Sequence, residues 1–100
     1  STGISIYPEK IMTEYITIYA AIITSNDNRE EIRKDLPAEI FFADDDEMAQ
    51  DIALKKRQIL DAIFNSIPVP GFKKDVIIKS VCDQTNKRII YWIGYLSDLG

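Results

Sequence analysis

The feature that most constrains the fold is a long apolar segment near the N-terminus, EKIMTEYITIYAAIITS, which follows Pro8. Its apolar side chains fall at positions 11, 15, 18 and 22, and again at 12, 16, 19 and 23. These positions form two adjacent rows on one face of a helix. The segment also alternates along positions 16, 18, 20 and 22 and is rich in β-branched residues, so a strand is the rival interpretation. Because the double row includes more residues, we predict a helix over residues 8–24.

Further helical patterns follow this segment. The polar turn SNDN precedes REEIRKDL, which we interpret as a short helix that ends near Pro37, and an apolar patch, AEIFF, comes next. The acidic run Asp44, Asp45 and Asp46 then precedes the amphipathic stretch EMAQDIALKKRQILDAIF. We interpret this run as a helix cap rather than a metal site, because it lacks the spacing and the glycine of a calcium loop. The segment NSIPVPGF breaks the helix with two prolines and a glycine.

The composition of the chain argues against an enzyme. It has no histidine, Cys82 is its only cysteine, and its four glycines do not form a phosphate-binding loop. We therefore expect no catalytic residue, no metal and no cofactor. The net charge of −4 is unevenly divided, because residues 1–54 carry twelve acidic and four basic side chains, and residues 55–100 carry four and eight. This asymmetry indicates that the two halves face different partners, or each other.

FKKDVIIKSVCD and NKRIIYWIGYLSDLG have the pattern of two helices that follow ILDAIF and a bend. With this arrangement the C-terminal part, about residues 55–100, resembles the helix-turn-helix core of winged-helix regulators. The resemblance depends on apolar spacing. The residues that carry it are Ile78, Val81, Ile89, Ile93, Leu96 and Gly100. Two features depart from the family: the bend is long, and the sequence stops at Gly100, where the β-hairpin wing of the family would follow, so either the wing lies beyond this point or the domain lacks one.

Read as a helix, the last segment has one apolar face. That face predicts a core in which Ile78, Ile89, Trp92, Ile93 and Leu96 contact Ile59 and Ile63. The opposite face, the turn before it and the start of the preceding helix are predicted to contact DNA. The candidate DNA-binding residues are Lys73, Lys74, Thr85, Asn86, Lys87, Arg88 and Tyr91.

These observations together predict a mainly α-helical fold in one domain over residues 1–100. Residues 1–46 would be an acidic helical part used for dimerisation, with Tyr15, Ile18, Tyr19 and Ile22 as its partner surface, and residues 47–100 the helix-turn-helix part. The leading functional hypothesis is a dimeric transcriptional regulator that binds double-stranded DNA. The alternatives are a protein–protein interaction module or a small acidic inhibitor or adaptor, neither of which binds nucleic acid. We expect no membrane association, and a cytoplasmic location, or a nuclear one in a eukaryote.

Overall fold

The computed structural model describes residues 12–93 and has one helix and five strands in that range. In chain order they are β1 Thr13–Ser25, β2 Glu31–Asp35, β3 Glu39–Ala43, α1 Asp46–Phe64, β4 Phe72–Asp83 and β5 Arg88–Trp92. The described fold is therefore an antiparallel sheet with one helix packed on it, and the prediction of a mainly α-helical domain is wrong.

The strands form one sheet in which β1 and β4 are the long central pair. The order is β2-β1-β4-β5, and β3 also pairs with β1. β2 pairs with residues 20–24 of β1, and β3 pairs with residues 13–17, so the two short strands share one edge of β1. The remaining gap on that edge is bridged at Leu36, whose N–H donates to the carbonyl of Tyr19 at 2.8 Å.

The segment predicted as the first helix is strand β1 in its described part. Tyr15, Thr17 and Tyr19 are almost fully buried, whereas Ile16 and Ile18 between them are half-buried, which is the two-residue period of a strand. A β-bulge in the pairing of β1 with β4 lies between Ile18 and Tyr19, and Ala20 and Ala21 beyond it are both buried. The stiff β-branched side chains therefore outweigh the apparent helical rows.

The helix-turn-helix prediction is also wrong. Its two helices are strands β4 and β5, and the turn between β5 and β4 contains Lys87 with a positive φ of 57°. The core predicted for this part is also wrong, because Trp92 is 40% exposed and Ile89, Ile59 and Ile63 are more exposed still. Ile78 is buried, and Leu96 lies outside the described residues. REEIRKDL, predicted as a short helix, instead contains strand β2.

The amphipathic helix was predicted correctly, and the acidic run caps it. Asp45 is the N-cap, and its side chain accepts a hydrogen bond from the N–H of Met48 at 2.8 Å. Asp46 and Glu47 occupy the first turn, where negative charge interacts favourably with the positive end of the helix dipole. The helix ends at Phe64 with Asn65 as its C-cap, and the proline-containing break follows, as predicted.

Helix α1 packs mainly against β4 and covers one face of the sheet. Ala49 and Ala53 are fully buried and let the helix approach the sheet closely. The core beneath the helix contains Tyr15, Tyr19, Ala43, Ala49, Ala53, Val76, Ile78 and Val81. Within residues 12–93, no helix has the length and apolarity needed to cross a membrane.

Candidate interaction surface

The strand pairing assigns each side chain to one of two faces of the sheet. Directly paired residues lie on the same face, and neighbours along a strand lie on opposite faces. Tyr15 and Tyr19 contact α1, so the face they share with Thr17 is the covered face. Ile16, Ile18 and the residues paired with them lie on the other side, which we call the open face.

The covered face of β1 binds the helix through polar atoms at the ends of buried side chains. The Tyr15 hydroxyl donates to Asp46 Oδ1 at 2.8 Å, and the Tyr19 hydroxyl donates to the carbonyl oxygen of Ala53 at 3.1 Å. Thr17 donates its hydroxyl proton to the carbonyl oxygen of Ser80 at 3.0 Å. Two tyrosines therefore set where α1 sits along the sheet, in addition to burying apolar area.

The open face has a continuous apolar row across four strands. Ile16 of β1 pairs with Ile40 of β3 and Cys82 of β4, and Cys82 pairs with Ile89 of β5. Ile40 is 59% exposed and Ile89 is 56% exposed, so both ends of the row face solvent. We call these four residues the apolar row.

More apolar side chains lie on either side of the apolar row. Phe42, 54% exposed, lies beyond it, and Ile18 and Trp92 each pair with Ser80 on the other side. Ile22 and Ile77 lie further along the same face. The result is an apolar patch three to four strands wide, the kind of surface that marks interaction sites in folded proteins.

The far end of the open face is charged, and its charges balance. Asp35, Arg33 and Glu31 of β2 share this end with Lys79, Asp75 and Lys73 of β4, which gives three acids and three bases. Lys79 pairs with Asp35 at 2.8 Å, and Arg33 pairs with Glu31 at 2.8 Å. Ion pairs this exposed contribute little stability.

A separate ionic cluster lies on the covered side, where the start of α1 meets the β4–β5 hairpin. The side chain of Asp83 is inaccessible to solvent, and Arg88 Nη2 lies 2.7 Å from its Oδ2. Arg88 also donates two hydrogen bonds to Asp46, from Nη1 at 3.1 Å and from Nη2 at 3.0 Å. Asp83 further accepts from the backbone and side-chain N–H groups of Asn86, both at 2.9 Å. This cluster fixes the hairpin to the helix.

The cluster shifts the pKa values of its members. Burial alone would raise the pKa of Asp83, but hydrogen bonds from Asn86 and Arg88 outweigh it and lower that pKa to about 2. Hydrogen bonds from Arg88 and Tyr15 lower the pKa of Asp46, and both carboxylates raise the pKa of Arg88. Burial, with the bond to Asp46, raises the pKa of Tyr15 to about 12. All four groups keep one protonation state at neutral pH, which is typical of a structural cluster.

The structure does not gather the candidate DNA-binding residues on one surface. Lys73 and Lys74 begin β4, whereas Thr85, Asn86 and Lys87 form the turn after its end, so the two groups are on the order of 35–40 Å apart along the strand. Lys74 donates to the carbonyl oxygen of Ile67, and Arg88 is held by two carboxylates. Tyr91 is half-buried on the covered side.

The four residues of the predicted partner surface divide between the two faces. Tyr15 and Tyr19, each 1% exposed, are buried under α1 and cannot reach a partner. Ile18 and Ile22 lie half-buried on the open face. Sequence reasoning missed Ile16, Ile40, Phe42, Cys82 and Ile89 as surface candidates. The available signal was the alternation of positions 16, 18, 20 and 22, which defines this face once β1 is taken as a strand.

Within the part of the chain that the structure describes, no group of three or more acidic or cysteine side chains is arranged to hold a metal ion. Comparisons with protein-family models, curated protein sequences and solved structures found no match for this chain.

Proposed function

We propose that this chain is a non-enzymatic protein–protein interaction module that uses the open face of its sheet to associate with a second copy of itself. The single observation that carries the proposal is the distribution of side chains along β1. In this strand Tyr15 and Thr17 lie on the face that the helix covers. Ile16, Ile18 and Ile22 lie on the open face. A sheet with one solvated face normally places polar residues on that side.

The open face has the dimensions of a stable interface. Neighbouring strands lie about 4.8 Å apart, and successive residues on the same face of one strand lie about 6.7 Å apart. A face that is three to four strands wide and about six such residues long therefore covers roughly 600 Å². Two such faces packed together bury about 1,200 Å², the lower limit of the range for specific protein–protein interfaces. Sheets pack face to face about 10 Å apart, with the side chains of both inner faces interdigitated.

The charge pattern of the open face favours a second copy over a strongly charged partner. Its charged end carries equal numbers of acids and bases, so it neither attracts a polyanion nor repels its own equivalent. In a symmetric dimer each patch meets the same patch, and a balanced set of charges is self-complementary. Duplex DNA, the leading partner in the sequence-based hypothesis, needs a basic surface instead. The free thiol of Cys82 is compatible with a cytoplasmic location, because cytoplasmic thiols are kept reduced.

Two matched lysine substitutions test the proposal. Ile40 of β3 and Ile32 of β2 each sit in a five-residue strand paired with β1, at 59% and 61% exposure. Ile40 lies on the open face, whereas Ile32, paired with Ile23, lies on the opposite face. The measurement is the molar mass by size-exclusion light scattering over a range of concentrations.

We expect the wild type and Ile32→Lys to reach twice the chain mass of 11.4 kDa, and Ile40→Lys to stay at the monomer mass. A wild-type protein that is monomeric at the highest concentration contradicts self-association. So does an Ile40→Lys variant that dimerises as well as Ile32→Lys. A parallel run with duplex DNA at ~50 mM salt, where charge-driven binding is strongest, distinguishes the alternative: co-elution with DNA would overturn the proposal in favour of a nucleic-acid role.

A further inference from the structure

A second feature, independent of the open face, lies on the covered side between α1 and β5. It is a pocket of about 380 Å³. The apolar side chains of its lining come from the helix and from both neighbouring strands, and they include Leu54, Val76, Ile78, Val81 and Tyr91. The volume lies in the range of small-molecule sites, and so does the combination of an apolar wall with a few polar groups.

The pocket exists because the helix is offset from the centre of the sheet. α1 packs mainly on β4, and β5 is only five residues long and contains a bulge near Ile90. The strip of covered face between β4 and β5 is therefore not filled by helix side chains. Leu54 of the helix and Tyr91 of β5 both line this strip.

Arg57 is the charged group of this pocket, and its pairing differs from that of the other described arginines. Arg29, Arg33 and Arg88 each form an ion pair with a carboxylate. Within residues 12–93, Arg57 forms none, and Nη1 donates one hydrogen bond, to the carbonyl oxygen of Val76 at 3.1 Å. A guanidinium has five N–H donors, so most of its donor capacity is unused by the residues that the structure describes.

We propose that this pocket binds a small ligand with a carboxylate at one end and an aliphatic chain at the other. The half-buried Arg57 guanidinium matches a carboxylate in a two-point hydrogen-bonded pair, which is stronger than a neutral hydrogen bond. Leu54, Tyr91 and Ile93 form the accessible apolar wall that receives the chain, above the buried core residues of β4. Gln50, also in the lining, is seven residues before Arg57 on α1, so the pocket extends about 10 Å along the helix.

Calorimetric titration with octanoate tests this site in the whole protein. Two probes of the same chain length, octanol and octylamine, separate the role of the carboxylate from that of the aliphatic chain. We expect octanoate to bind at least tenfold more tightly than octanol, and octylamine to show no binding. Equal affinity for all three probes would show that Arg57 takes no part in binding. The absence of a heat signal with millimolar octanoate would show that the pocket does not bind this ligand class.

Two variants locate the ligand. Arg57→Gln should weaken octanoate binding at least tenfold and leave octanol binding unchanged, whereas Arg33→Gln, at an arginine already paired with Glu31, should change neither. Leu54 is 50% exposed, so Leu54→Trp should fold and fill the pocket from the solvent side, abolishing binding with Arg57 intact. Circular dichroism confirms the fold of each variant. Full octanoate binding by a folded Arg57→Gln or Leu54→Trp variant would overturn the assignment.

Discussion

The two faces of the sheet differ in the side chains that they carry and in the contacts that those side chains make. On the covered face, Tyr15 and Tyr19 reach past the apolar core and bond to defined atoms of α1. On the open face, the apolar row has aliphatic side chains and one thiol, with no hydrogen-bonding group of comparable reach. The covered face therefore specifies one position of one helix, whereas the open face offers general apolar contact over a wide area.

This difference separates folding from association. The side chains buried most deeply belong to the covered face and its helix, so the stability of the monomer depends mainly on that side. Ile40, Phe42 and Ile89 add little to that core because more than half of each side chain is exposed. Substitutions on the covered face should change the free energy of unfolding, and substitutions on the open face should change the association equilibrium.

The largest effect should come from Tyr19→Ala, which removes an aromatic side chain that is 1% exposed. We expect the free energy of unfolding to fall by about 3–5 kcal/mol, from the lost contacts and the cavity left behind. Urea unfolding monitored by circular dichroism measures it. The control Tyr19→Phe removes only the hydrogen bond to Ala53 and should cost about 1 kcal/mol. A Tyr19→Ala loss below about 1 kcal/mol would mean that the covered face is not the main source of stability.

The next effect concerns pH and the buried Asp83. Its pKa is about 2 in the folded protein, below the ordinary value of 3.8, so the unfolded chain takes up a proton at a higher pH than the folded one. The stability that Asp83 contributes is complete above about pH 5 and is lost as the pH falls from about 4 to 2. Asp83→Asn should be less stable at neutral pH and lose less stability on acidification.

Urea midpoints between pH 7 and 2 measure this dependence. Asp35→Asn is the matched control, because the ion pair of Asp35 with Lys79 is exposed and should contribute little. An Asp83→Asn variant with the acid dependence of the wild type would show that other carboxylates control acid unfolding.

A smaller effect on the monomer should come from Ile89→Lys and Ile59→Lys, whose isoleucines are both 56% exposed. At low concentration we expect each to change the free energy of unfolding by less than about 0.5 kcal/mol, as is usual for surface sites. At high concentration the wild type and Ile59→Lys should gain stability from dimerisation, and Ile89→Lys should not. Thermal unfolding at two concentrations checks this, and a concentration-dependent midpoint in Ile89→Lys would contradict it.

Helix α1 could be predicted from the sequence because its signals are local. The acidic cap at Asp45 and the 3.6-residue period lie within one segment, and no distant residue is needed to interpret them. The strands could not be assigned as easily. In β1 apolar side chains occupy both faces, and the adjacent Ala20 and Ala21 are both buried, so the alternation was hidden and the helical rows seemed the longer pattern.

The β4–β5 hairpin was missed for a related reason. Its turn has no glycine, and Lys87 adopts the positive φ that glycine or asparagine usually supplies. The β-branched run of Val76, Ile77 and Ile78 was a strand signal that the helix-turn-helix spacing concealed. The candidate surface followed the same error. Ile18 and Ile22 were included, but Ile40 and Ile89 join them only through pairing between distant strands, which one segment cannot reveal.

The most direct measurement of the central claim uses the only cysteine of the chain, Cys82, which lies inside the apolar row. The second-order rate constant for its reaction with a maleimide reports how accessible the open face is. If a second copy covers that face, the rate constant should fall as the protein concentration rises, for the wild type and for Ile32→Lys. In Ile40→Lys it should stay constant. A wild-type rate constant that does not depend on protein concentration, while light scattering shows a dimer, would place the interface elsewhere and contradict the account.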